Sequence, residues 1–239
     1  MQNNLVEVKF IDCSIMSNLF RQIHTNIPNV DSKIKVSFTR RQLSYRTFLP
    51  RQLNVNEKDI LCYLQKSNTT SPSLNFKVNN DSLGYLDFIL NGHSFNLWLN
   101  NLPEKIKQLE IIPLNEEPNF ILHYTHARCQ SLLRLGIEEK IIKKELDLTQ
   151  RDWLQLNSNW EKKLLWQLLE ITDNFIDHNS LLRFAEVILE YERNCQIWGD
   201  IKKNQPSLSV NRLAIIALAS FILNFLVKKV FQIELSNFL

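Results

Sequence analysis

The stretch from Leu213 to Val227 reads LAIIALASFILNFLV, apolar but for Ser220 and Asn224. A helix built from it has no polar face and must be covered on every side. Crossing a bilayer takes about 20 apolar residues, and shorter runs are more often core helices. Lys228 ends this run early. The expectation is a buried central helix, so the rest of the chain must supply amphipathic elements to surround it.

The stretch from Phe120 to Arg134 meets that need. Ile121, Leu122, Thr125, Cys129, Leu132 and Leu133 recur at helical spacing and form an inward face. Tyr124, His126, Arg128 and Arg134 supply an aromatic face and flanking cations. Further helices are expected at 138–145, from Asn159 as cap through Trp160, Leu164, Leu168 and Ile171, and from Ser180 through Leu181, Phe184, Ile188, Tyr191 and Cys195. Gly199 to Ser209 reads as a polar loop.

The first hundred residues differ in pattern. A helix carries Ile15, Leu19, Ile23 and Ile27, ended by Pro28, and Lys33–Phe38 alternates like a strand. Asn56–Lys66 reads as a short helix and Ser67–Ser73 as a loop. Leu74–Val78 and Leu83–Leu90, around Asn79, Asn80 and Asp81, read as a β-hairpin. A helix follows from Ser94, a plausible N-cap, to Leu109. Residues 110–119, with Pro113, Glu116, Glu117 and Pro118, form a linker. The fold expectation is mainly α: a small α+β N-terminal domain over 1–109, then an antiparallel helical bundle over 120–239.

Composition limits the chemistry. Four glycines in 239 residues argue against phosphate-cradling loops, and no strand–nucleophile–helix elbow or paired-carboxylate signature appears. His123 and His126 lie three apart on one helix, but no third ligand stands at suitable spacing and His178 is alone, so no metal and no cofactor is expected. Cys13, Cys62, Cys129 and Cys195 are widely spaced, and Met1–Asp12 has no apolar core. These features read as reduced thiols in a cytoplasmic protein. The net charge of +3 is too small to call for nucleic acid by itself. Charge is uneven, however: from Asp31 to Leu53 six cations face one anion, while residues 118–239 hold fifteen cations and fourteen anions.

Tyr124-Thr125-His126-Ala127-Arg128 followed by Ser131-Leu132-Leu133-Arg134 resembles the opening helix of the anticodon-binding DALR domain of arginyl-tRNA synthetases. Asn194-Cys195-Gln196-Ile197 resembles that family's Asn-(Glu/Asp)-Cys-Arg-Val without its cation, and Asn211-Arg212-Leu213-Ala214 is similar to its Arg-Leu-Ala-Leu. The resemblance runs from about Phe120 to Leu239. A fainter one covers the first region. Leu83-Gly84-Tyr85-Leu86-Asp87-Phe88 is similar to the Gly-Phe-(Ile/Leu)-Asn-Phe strand of the synthetase N-terminal additional domain. Tyr45–Leu53 falls where that domain has its Gly-Asp-Tyr-(Ala/Ser)-Asn helix, without the Gly-Asp. No His-Ile-Gly-His-like or Lys-Met-Ser-Lys-Ser-like sequence occurs.

The resemblance implies a non-catalytic tRNA-binding protein. It implies that Tyr124 stacks on an exposed base of the anticodon loop, with Arg128, Arg134, Tyr191 and Leu239 beside it. Read from its residues alone, Arg128 suits an internal carboxylate partner better than a phosphate. Arg40, Arg41, Tyr45, Arg46 and Arg51 suit phosphates of the tRNA corner, or a solvated face. Where the family has Phe-His-x-Phe-Tyr, this chain has Ile188-Leu189-Glu190-Tyr191-Glu192, which sets two carboxylates beside the implied RNA path. That substitution supports an alternative, a protein–protein adaptor that has lost RNA binding. A further alternative is an accessory subunit of a split synthetase, which requires a partner chain carrying the catalytic motifs. No membrane partner is expected.

Overall fold

The computed structural model describes residues 15, 19, 38–41, 44–47, 76–80, 85–109, 111, 113–114, 116–149, 151–173 and 176–236. They fall into two compact units, divided between Trp98 and Leu99. The division lies inside a helix.

The first unit is built on a four-stranded antiparallel sheet. Its strands are β1 (Phe38–Arg41), β2 (Ser44–Thr47), β3 (Phe76–Asn80) and β4 (Leu86–Leu90), in the order β1-β2-β4-β3. The register pairs Tyr45 with Phe88 and Phe88 with Val78. Leu86, Phe88 and Leu90 alternate inward along β4, so one face of the sheet forms the core with buried Tyr45. The expected hairpin is present as β3–β4, with Asn79 and Asn80 inside the strand rather than in the turn. Residues 44–47 are a strand, not the helix implied by the family resemblance. Its Ser-Tyr-Arg-Thr sequence suits a half-buried pleat, and the Gly-Asp start is missing. Ile15 and Leu19 are helical and buried; Ile23, Ile27, residues 33–37 and 56–66 lie outside the described residues.

Helix α1 (Gly92–Ile106) begins one turn earlier than expected. Asn91, not Ser94, is the cap: its Oδ1 accepts from the Ser94 N–H at 2.7 Å. The helix stops at Ile106 and a turn closes with the Leu109 N–H on the Ile106 carbonyl.

The second unit is the helical bundle. It comprises α2 (Phe120–Glu138), a 3₁₀ turn (Trp153–Gln155), α3 (Asn159–Asp173), α4 (His178–Asn194), α5 (Asp200–Asn204) and α6 (Pro206–Phe231). α2 packs on α6 and α4, α3 on α4, and α4 and α5 on α6. Ion pairs Lys163–Glu190 and Arg183–Glu170 show that α3 and α4 run antiparallel. In the same way, Ser220 meets His126 while Leu213 meets Gly136, so α2 and α6 run antiparallel.

The apolar run is the middle of α6, where Leu213–Ile216, Leu218–Ser220, Ile222, Leu223, Leu226 and Val227 are buried. By length and composition alone this 26-residue helix could cross a membrane, and 67% of its most apolar window is covered by the rest of the chain. Gln232, with φ 60°, ends it in the left-handed conformation common at helix C-termini.

Three local expectations shift. Residues 139–145 form turns, not a helix: α2 runs on to Glu138, Lys140 takes φ 57°, and the Ile141 and Ile142 N–H groups both return to the Gly136 carbonyl. Ser158, not Asn159, caps α3. Its Oγ accepts from Glu161 N–H at 3.2 Å while Glu161 Oε2 accepts from Ser158 N–H at 2.6 Å. The polar loop at 199–209 holds α5 and the first turn of α6, with Pro206 at the helix start. The described part of the linker carries no helix or strand, and its Leu114 N–H bonds the Val230 carbonyl at 2.7 Å.

Candidate nucleic-acid interface

Asn119 starts α2 with its Oδ1 on the Ile121 N–H at 3.0 Å, which fixes Phe120 as the first helical residue. Residues four apart share a helix face. Phe120, Tyr124 and Arg128 therefore line one stripe over two turns. Phe120 is 70% exposed and Tyr124 36%, with ring centroids 6.3 Å apart and planes tilted by 32°. Two adjacent open rings are a platform on which unstacked bases can lie. Phe120 was missed from sequence because a residue at a helix start reads as a staple or core contact; its spacing of four from Tyr124 was the available signal.

Arg128 is exposed and already engaged. Its Nη2 donates to Glu192 Oε1 on α4 at 2.6 Å, and this bond raises the guanidinium above its ordinary value. The carboxylate partner anticipated for Arg128 is thus Glu192. The other acid flagged beside the path, Glu190, is bound by Lys163, whose ammonium also lies 5.5 Å from the centroid of the half-exposed Trp160 ring. Both carboxylates are neutralised by neighbours, at the expense of two cations. Arg134 is exposed nearly three turns beyond Tyr124.

Tyr191 is a correction. It is 1% exposed, burial holds its phenol well above the usual value, and its hydroxyl donates to the Arg212 carbonyl at 3.4 Å. A ring so covered has no face for a base. The neighbouring Arg212, Glu161 and Ser158 form a buried polar knot that joins the starts of α3 and α6. The knot takes in the segment just past α4 as well, since Arg212 Nη1 donates to the Gln196 carbonyl.

In the first unit, Tyr45 is likewise a correction: it is buried in the sheet core and cannot stack on RNA. Arg46 is bidentate on Asp87, with both bonds at 2.7 Å, and lies 5.3 Å from the centroid of the Tyr85 ring. Its charge is neutralised within the sheet. Arg40 and Arg41 lie on β1, registered opposite Tyr45 and Ser44. Arg51 and Leu239 lie outside the described residues.

His126 is buried, with Nδ1 3.0 Å from Ser220 Oγ, and Gln130 Nε2 donates to the same hydroxyl at 3.1 Å. The Ser220 hydroxyl thus bridges Gln130 and His126, and the histidine is a packing residue between α2 and α6. Burial pushes the nearby Cys129 thiol up to about 12, which makes it a core side chain and not a nucleophile. Among the described residues no group of three or more His, Cys, Asp or Glu side chains is placed to hold a metal.

Comparison with known proteins supports a distant likeness to an arginine–tRNA ligase. An arginine–tRNA ligase from Synechococcus sp. (strain JA-3-3Ab) is 31% identical over 113 residues, covering 42% of this chain and 19% of the ligase. The chain therefore spans about a fifth of that relative's length. No protein-family model matches. No solved structure matches.

Proposed function

We propose that this chain is a non-catalytic, cytoplasmic tRNA-binding protein related to arginine–tRNA ligases, and that its α2 face takes the anticodon loop. The observation that carries this reading is the open Phe120–Tyr124 pair, in the helix whose sequence resembles the anticodon-binding domain. Stacking on such a pair tolerates any base because every base has a π-face, and it contributes about 1–3 kcal/mol per base. The similarity to a tRNA ligase supports RNA as the partner. The lack of His-Ile-Gly-His-like and Lys-Met-Ser-Lys-Ser-like sequences in this chain supports binding without aminoacylation.

The test is binding of total tRNA at low and moderate salt, beside Tyr124→Ala and Phe120→Ala. Saturable binding that weakens with salt, and at least tenfold with either substitution, is expected. Absence of binding at low salt overturns the reading. The pure chain is expected not to charge tRNA with arginine and ATP.

A second reading follows from the pairing of Arg128 and Lys163 with Glu192 and Glu190. A face whose cations are internally neutralised also suits a protein partner, as an adaptor or an accessory subunit of a split synthetase. Salt-insensitive capture of a protein, with no tRNA bound, would favour it.

A further inference from the structure

We propose that Glu192 is a built-in stand-in for phosphate, which occupies Arg128 and thereby sets how tightly the α2 face holds single-stranded RNA. The inference rests on the RNA-binding reading above and adds a residue that tunes it. A guanidinium offers the same planar fork to a carboxylate and to a phosphate, so the two anions compete for one site. Arg128 follows Tyr124 by one turn on the exposed stripe, where a backbone phosphate next to a base stacked on Tyr124 would seek a cation. Glu192 fills that place at 2.6 Å.

The two partners are unequally free. The Glu192 side chain is 19% exposed and held from α4, whereas Arg128 is 43% exposed on α2. Withdrawal of Glu192 from the stripe is thus restricted by its packing, while Arg128 can turn outward once released. An incoming phosphate meets the repulsion of the carboxylate and must also break its bond. Glu190, two residues earlier on the same helix, is held by Lys163 and does not compete for Arg128. Replacing Glu192 by its neutral isostere removes the repulsion and frees a guanidinium together.

The experiment compares total tRNA binding by the full chain as wild type, Glu192→Gln, Arg128→Gln and the double variant, over a salt series. Glu192→Gln is expected to tighten binding about fivefold at low salt. It should steepen the log–log salt slope by about 0.7, the value for one more single-strand phosphate contact. Arg128→Gln alone should weaken binding, because it leaves the Glu192 carboxylate unpaired beside the stripe. The double variant should bind no more tightly than wild type, because the pair is then removed whole. Binding by wild type with no tightening in Glu192→Gln overturns the inference and leaves the RNA-binding reading intact. Tightening that survives in the double variant also overturns it, because a general charge effect would then suffice. Binding seen only in Glu192→Gln, or in no variant, overturns both proposals.

Discussion

Arg212 Nε donates to Glu161 Oε1 at 2.6 Å, with the Glu161 side chain only 2% exposed. Burial alone would raise this carboxyl; hydrogen bonds from the Ser158 N–H, Arg212 and the Ser158 hydroxyl outweigh it and hold the group below the usual carboxylate range. Breaking one side of a buried pair leaves an uncompensated charge, at about 3–5 kcal/mol. Arg212→Met should therefore lower Tm by about 10 °C. Arg212→Met with Glu161→Leu should recover most of that loss. The sign of the pH effect follows from the lowered carboxyl: its contribution is present above the unfolded pKa of about 4.3 and is lost as pH falls through the lower folded value. Glu161→Gln should flatten the acid limb of the stability curve. Equal acid limbs in wild type and variant would exclude this role.

Gly136 sets how closely α2 approaches α6. A Cβ there would stand 2.6 Å from Leu213 Cδ1 and 3.3 Å from Ile142 Cγ1, and Leu213 is fully buried. In an exposed helix Gly→Ala gains up to about 1 kcal/mol. Overpacking at a contact this tight costs about 1–3 kcal/mol. Gly136→Ala should thus lower the urea midpoint with little change in slope. A raised midpoint would show that Leu213 and Ile142 yield.

Much of the bundle was legible because its signals are periodic. The Leu213–Val227 run has no polar face, and α6 is accordingly the helix most covered by the others. Leu122, Thr125, Cys129 and Leu132 point inward as their spacing requires. Caps were less legible, since Asn91 and Ser94, or Ser158 and Asn159, carry the same chemistry and only backbone geometry separates them. Residues 139–145 misled because helix-forming side chains there follow a turn closed on Gly136, a tertiary constraint invisible to propensity. Tyr191 and Tyr45 were misread for a related reason: an amphipathic ring suits both a core and a base, and burial depends on neighbours distant in sequence. Arg128 with Glu192 was half legible, as the need for a carboxylate was evident while the helix supplying it was not.

Thr125 shows how far residue type can depart from residue environment. Its side chain is fully buried on the α2 core face, and its Oγ1 has no hydrogen-bond partner among the described residues. A buried hydroxyl without a partner costs about 1–3 kcal/mol by mutational measure. Valine has the same branched shape and is also stiff at χ1, so replacement removes the hydroxyl while leaving the side-chain volume close to that of threonine. Thr125→Val should therefore stabilise the chain by about 1 kcal/mol, raising Tm by about 2–4 °C. Thr125→Ala should instead destabilise it, because the lost methyl leaves a void against α6 or α4. Opposite signs for the two variants in one thermal melt would separate the hydroxyl from the methyl. If Thr125→Val also destabilises, the hydroxyl has a partner in solution, and a buried water beside α2 becomes the account to test.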